Sequence, residues 1–114
     1  MSNVHELYTK DNYTIQRSMN IEEKLYAELQ EILYKEYHAT ISELVNYCIE
    51  RLLLEDKEIY YYKKPDGEIV IYRSIMFRRN NIEALQKIKN STGISMTRLV
   101  NLAIKEFIDE YNKK

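Results

Sequence analysis

Side chains able to do covalent, acid–base or metal chemistry are few in this 114-residue chain. Cys48 is its one cysteine, and His5 and His38 are its two histidines. Neither histidine has an acidic, Cys or Ser partner at a spacing that suggests a catalytic pair. Two glycines in the whole chain leave no Gly-rich phosphate loop. One cysteine and two distant histidines do not make a structural zinc site. The expectation is a non-enzyme without cofactor or metal. Cys48 lies in an apolar helical pattern and reads as a reduced core residue of a cytoplasmic protein. Hydrogen-bonding and stacking groups are better represented, with eleven tyrosines among them. Stacking on single-stranded bases would use such rings. Tyr60, Tyr61 and Tyr62 are consecutive, however, and cannot share one strand face. Tyr26, Tyr34, Tyr37, Tyr47 and Tyr111 fall at helical positions that suit half-buried packing.

Composition bounds the elements that hold these groups. Apolar residues make up 45% and charged residues 31% of the chain, with a single proline. That balance suits a globular fold, mainly α with a little strand, rather than disorder. No apolar run approaches the roughly 20 residues of a membrane span. Residues 1–10 lack an apolar core, so no secretory signal is expected.

The alternation of Ile15, Met19 and Ile21 with Thr14, Gln16, Ser18 and Asn20 has the period of a strand with one buried face. The same holds for Ile69, Ile71, Ile75 and Phe77 against Val70, Tyr72, Ser74 and Met76. Each strand leads into a helical stripe: Leu25, Tyr26, Leu29, Ile32 and Leu33, and then Ile82, Leu85 and Ile88. Gly93 fits a left-handed cap ending the later helix, whereas Tyr37-His38-Ala39 has no such glycine. Further helices start at Thr40 or Ser42 and at Ser95 or Thr97. Thr40 and Glu43 have capping-box spacing. Leu44, Val45, Cys48, Ile49, Leu52 and Leu53 face inward in the first of these, and Leu99, Val100, Ala103, Ile104, Phe107 and Ile108 in the second.

These features occur in the same order twice. Arg17 to Ile21 is echoed by Arg73 to Phe77, and Thr40 to Asn46 by Ser95 to Asn101, at offsets of 56 and 55 residues. One strand with two helices leaves strand edges unpaired and a helical face uncovered. Two copies solve both problems when their strands pair antiparallel and four helices enclose one core. Lys64-Pro65-Asp66-Gly67 lies between Glu58–Lys63 and Glu68–Tyr72, a signal for an ordered hairpin. The expected fold is therefore mainly α with a short antiparallel β-ribbon, two units forming a pseudo-dimer joined by a β-hairpin. Its expected divisions are a tail at 1–12, repeat one at 13–56, a connector at 57–70 and repeat two at 71–111.

About residues 13–54 and 70–111, the chain resembles the ribbon-helix-helix family of DNA-binding proteins, which includes the Arc and Met repressors. The motifs are clearest in Ser74-Ile75-Met76-Phe77, in Ile82, Leu85 and Ile88, and in Gly93-Ile94-Ser95-Met96-Thr97-Arg98-Leu99-Val100. The resemblance implies that paired strands enter the major groove while the start of each second helix holds phosphate. A two-stranded ribbon fits that groove, and a helix N-terminus offers N–H groups to an anion. Carried over, the base-contacting residues are Gln16, Ser18, Asn20, Tyr72, Ser74 and Met76. The backbone contacts are Thr40, Ser42, Ser95, Thr97 and Arg98, with Arg78 and Arg79. Arg17 and Arg73 are secondary, since their parity is inward and they must turn out at the ribbon ends or pair with Glu. Pairing within the chain, with Ser18 opposite Ser74, sets Gln16 near Met76 and Asn20 near Tyr72. The two halves of such a reading face differ.

The expected role is sequence-specific double-stranded DNA binding as a transcriptional repressor, with self-association into higher oligomers on DNA and no membrane partner. A plasmid transfer or partition accessory protein, an antitoxin, and a protein-interaction module that has lost DNA binding are the alternatives. The net charge of −1 does not favour a nucleic-acid partner. It is unevenly spread: residues 1–67 carry 8 Lys/Arg against 13 Asp/Glu, and residues 68–114 carry 9 against 5.

Overall fold

The computed structural model describes residues 14–36, 39–54 and 58–113. The expected tail, His5, Tyr37 and His38 lie outside them. In chain order the elements are β1 (Thr14–Glu22), α1 (Glu23–Glu36), α2 (Ile41–Leu54), β2 (Val70–Arg78), α3 (Arg79–Thr92) and α4 (Met96–Asn112).

β1 and β2 form one two-stranded antiparallel sheet in which Ser18 lies opposite Ser74. Alternation decides its faces. Met19, Ile21, Ile75 and Phe77 are buried beneath it, whereas Gln16, Ser18, Asn20, Tyr72, Ser74 and Met76 are exposed above. Among the described residues no helix covers the upper face, so the ribbon is a lid on the core with one side open.

Below it, α2 and α4 pack on each other more extensively than any other helix pair; α2 also meets β2, and α4 meets β1. Leu29, Val45, Ile49, Leu52, Leu85, Leu99, Val100, Leu102 and Ile104 join Ile21, Ile75 and Phe77 in one fully buried cluster. Each such side chain contributes about 1.5–3 kcal/mol relative to exposure. Gly93 ends α3 at φ 78°, its N–H donating to the Lys89 carbonyl at 2.8 Å. Ser95 caps α4 by accepting from the Arg98 N–H at 3.2 Å. Thr40 and Glu43 form the reciprocal capping box at the start of α2. No described helix is long and apolar enough to cross a membrane.

The expected organisation is corrected in two respects. Among the described residues the chain is one β-α-α-β-α-α arrangement with a single sheet and a single core, and two ribbon-helix-helix repeats are not evident as units. Each strand is the other's sheet partner, and both helix pairs bury their faces in the same cluster. Antiparallel pairing of the strands over one shared core agrees with the expectation; a division into two repeats is what the structure does not show.

The joining hairpin is also absent. Pro65–Glu68 does form a turn, closed by the Glu68 N–H on the Pro65 carbonyl at 3.1 Å with Gly67 at φ 82°. Residues 58–69, however, contain no strand. The connector's tyrosines are held elsewhere instead. Tyr62 is buried and donates to Glu22 at 3.0 Å, and Tyr60 donates to Glu106 of α4 at 2.9 Å. The Arg98 guanidinium stacks on the Tyr61 ring at 4.0 Å and donates to the Tyr62 carbonyl. These anchors pull the segment onto α4 as a strap, away from a strand partner.

Candidate nucleic-acid interface

The open ribbon face is the part of the molecule with chemistry to offer. Its register pairs Gln16 with Met76, Ser18 with Ser74 and Asn20 with Tyr72. All six side chains are exposed, Tyr72 at 69% and Met76 at 41%. The Gln16 amide donates to the Ser74 hydroxyl across the centre. The face therefore displays two amides on β1, two hydroxyls in the middle and two large apolar or aromatic groups on β2.

Two buried asparagines hold this ribbon to the helices. Asn46 of α2 donates to the Met76 carbonyl at 2.9 Å and accepts from the Arg78 N–H at 2.8 Å. Asn101 of α4 donates to the Asn20 carbonyl at 3.1 Å and accepts from the Glu22 N–H at 3.0 Å. Sequence reasoning did not single them out. Their signal was a polar residue at matching places in two apolar stripes.

Ser42 adds to the same attachment, since its hydroxyl accepts from the Met76 N–H at 3.0 Å. That commits a side chain expected at phosphate to the strand. Thr40 and Ser95 cap their helices, each side chain accepting one first-turn N–H group. Thr97 is half-buried, its carbonyl accepting from Asn101 at 2.9 Å. An open groove of about 290 Å³ lies where β1 ends beside α4, between Asn20, Val70, Ser95 and Thr97, with Glu22 and Tyr62 in its wall.

The arginines near the ribbon are largely engaged within the protein. Arg78 pairs with Glu50, whose carboxylate also accepts from Asn81 at 2.9 Å. Arg79 pairs with Glu83 one helical turn on. Arg98 is held by the strap, as described. Arg17 and Arg73 lie opposite Ile75 and Met19, yet both are exposed, so their side chains escape the inward parity. The Arg73 guanidinium reaches the Tyr26 ring at 5.3 Å.

Burial and hydrogen bonding set the behaviour of the ionisable groups here. Loss of water raises the Glu22 carboxyl above the usual glutamate range, against the lowering effect of the Tyr62 hydroxyl. Burial, together with the Glu22 bond, raises the Tyr62 phenol. Tyr60 is pushed up to about 12 by burial and by its bond to Glu106. The N–H and hydroxyl of Thr40 hold Glu43 below its usual range. Among the described residues no group of three or more His, Cys, Asp or Glu is arranged to hold a metal ion.

No family model, curated protein or solved structure matches this chain.

Proposed function

We propose that the protein binds double-stranded DNA by laying its two-stranded ribbon in the major groove, and that it acts as a sequence-specific regulator. The observation that carries this reading is the uncovered ribbon face, whose six exposed side chains stand on a backbone fastened from below by Asn46 and Asn101. A ribbon of this width fits the major groove, and Gln, Asn, Ser and apolar side chains are the types that address base edges there. The helix starts at Thr40 and Ser95 can accept phosphate through free N–H groups. The short motifs that resemble ribbon-helix-helix proteins point the same way. Repression is the simplest outcome for a small binder; a plasmid accessory role would use the same surface.

The acidic first part of the chain favours a second reading, a protein-interaction module. α1 carries Glu23, Glu28, Glu31 and Glu36 against Lys24 and Lys35, and Tyr34 on it is 92% exposed. Salt separates the two. Fluorescence anisotropy with a duplex drawn from DNA flanking the protein's own gene should show affinity falling steeply with ionic strength. Each phosphate contact contributes about 0.9 to the logarithmic slope. Absence of duplex affinity at every salt concentration overturns the DNA reading and leaves the interaction module.

A further inference from the structure

We infer that the ribbon reads two A·T pairs in the same orientation, both adenines on the DNA strand beside β1 and both thymines on the strand beside β2, so its target is not a palindrome. The inference rests on the duplex-binding reading above.

The ribbon's face is unequal across its width. At one end Gln16 of β1 lies beside Met76 of β2; at the other, Asn20 of β1 lies beside Tyr72 of β2. All four side chains are exposed on the open face. The amide thus comes from β1 both times, and the apolar or aromatic group from β2 both times. A ribbon running along the major groove sets one of its strands toward each DNA strand. In that groove an A·T pair presents N6 and N7 on the adenine side and the C5-methyl on the thymine side. An amide matches the first, and Met or Tyr matches the second. Each end of the ribbon is therefore complementary to one A·T pair, and both pairs point the same way.

The Gln16–Ser74 bond adds to this. A primary amide has two N–H groups and one carbonyl oxygen. With one N–H given to Ser74, the other N–H and the oxygen are left in the pair that adenine N7 and N6 require. The central hydroxyls both donate and accept, so Ser18 and Ser74 tolerate several bases. Gln16 and Asn20 are four residues apart, about 13 Å along the strand, which separates the two A·T pairs by roughly three or four base pairs. A two-fold symmetric face would have an amide on β1 at one end and on β2 at the other.

Selection from a randomised duplex pool with the full chain, followed by base analogues placed in one strand at a time, tests this. The expected motif has two adenines on one strand, three or four positions apart, and no inverted repeat. Deoxyuridine for thymidine in the complementary strand, which removes the methyl, should weaken binding about fourfold per site. 7-Deazaadenine in the adenine strand should weaken it about tenfold. Exchanging the groups at one end, Gln16→Met with Met76→Gln, should move the preferred adenine to the other DNA strand at that end alone. A palindromic motif, or equal analogue effects from either strand, overturns the orientation while duplex binding stands. Failure to select any duplex overturns both.

Discussion

Asn46 and Asn101 make the same three attachments at opposite ends of the ribbon. Each donates from its amide both to the carbonyl one helical turn back, Ser42 at 2.8 Å or Thr97 at 2.9 Å, and to a strand carbonyl, Met76 or Asn20. Each also accepts the N–H of the strand's last residue, Arg78 or Glu22. Both are almost fully buried, at 2% and 5% exposure. Backbone groups at the strand ends that would otherwise be orphaned are satisfied from beneath, which leaves the upper face clear.

Asn101→Ala should therefore cost about 2–4 kcal/mol, because it leaves a buried N–H and carbonyl unpaired. Asn46→Ala should cost at least as much, since Asn46 also accepts from Asn81 at 2.8 Å. Urea denaturation followed by circular dichroism measures both. Values within about 0.5 kcal/mol of wild type, the usual range of surface substitutions, would contradict the assigned role.

Glu22 predicts a pH dependence with a definite sign. Its folded-state carboxyl titrates above the unfolded value, mainly through burial. Its contribution to stability is then full below the unfolded value of about 4.3 and is lost as pH rises through the folded one. Glu22→Gln, which can still accept from Tyr62, should remove this loss. The variant's stability relative to wild type should rise between pH 4 and pH 8. A difference that is flat with pH would show that Glu22 titrates as an ordinary surface acid.

Cys48 is 1% exposed, and burial pushes its thiol far above the usual range. Thiolate is the reactive form, so the folded protein should resist labelling by a thiol reagent at pH 8 and react fully in denaturant. Rapid labelling of the native protein, with an unchanged circular dichroism spectrum, would contradict the burial.

On the ribbon, Gln16→Ala with Asn20→Ala removes exposed side chains and should leave the thermal midpoint within a few degrees of wild type. Binding to a selected duplex should fall by about 2–6 kcal/mol, at about 1–3 kcal/mol for each bidentate contact. Non-specific affinity should persist, because phosphate contacts supply it. Equal affinity of variant and wild type for the selected duplex would remove these residues from base reading.

Much of this was legible along the chain, where local physics decides. Alternation around Ser18 and Ser74 fixed which strand face is buried, and the stripes through Leu29 and Leu99 fixed the helical faces. Thr40, Ser95 and Gly93 showed their caps directly. What failed depends on partners far away in the chain. Pro65-Asp66-Gly67 specifies a turn but not what its flanks pair with, and the anchors of Tyr60 and Tyr62 are Glu106 and Glu22. Arg98 looked free for phosphate because its acceptor, the Tyr62 carbonyl, lies 36 residues earlier. Matching motifs reported a shared local order, but that order does not divide the β-α-α-β-α-α arrangement into two evident repeats. Glu50 and Asn81, which complete the network around Asn46 and Arg78, carried no local signal at all.

The most direct measurement is a titration of the isotopically labelled protein with duplex DNA, followed by amide resonances at moderate salt. The side-chain amides of Gln16 and Asn20 and the backbone amides of Ser18 and Ser74 should shift most, with smaller changes at Thr40 and Ser95. Shifts confined to α1, or none anywhere on β1 and β2, would contradict a duplex seated on the ribbon.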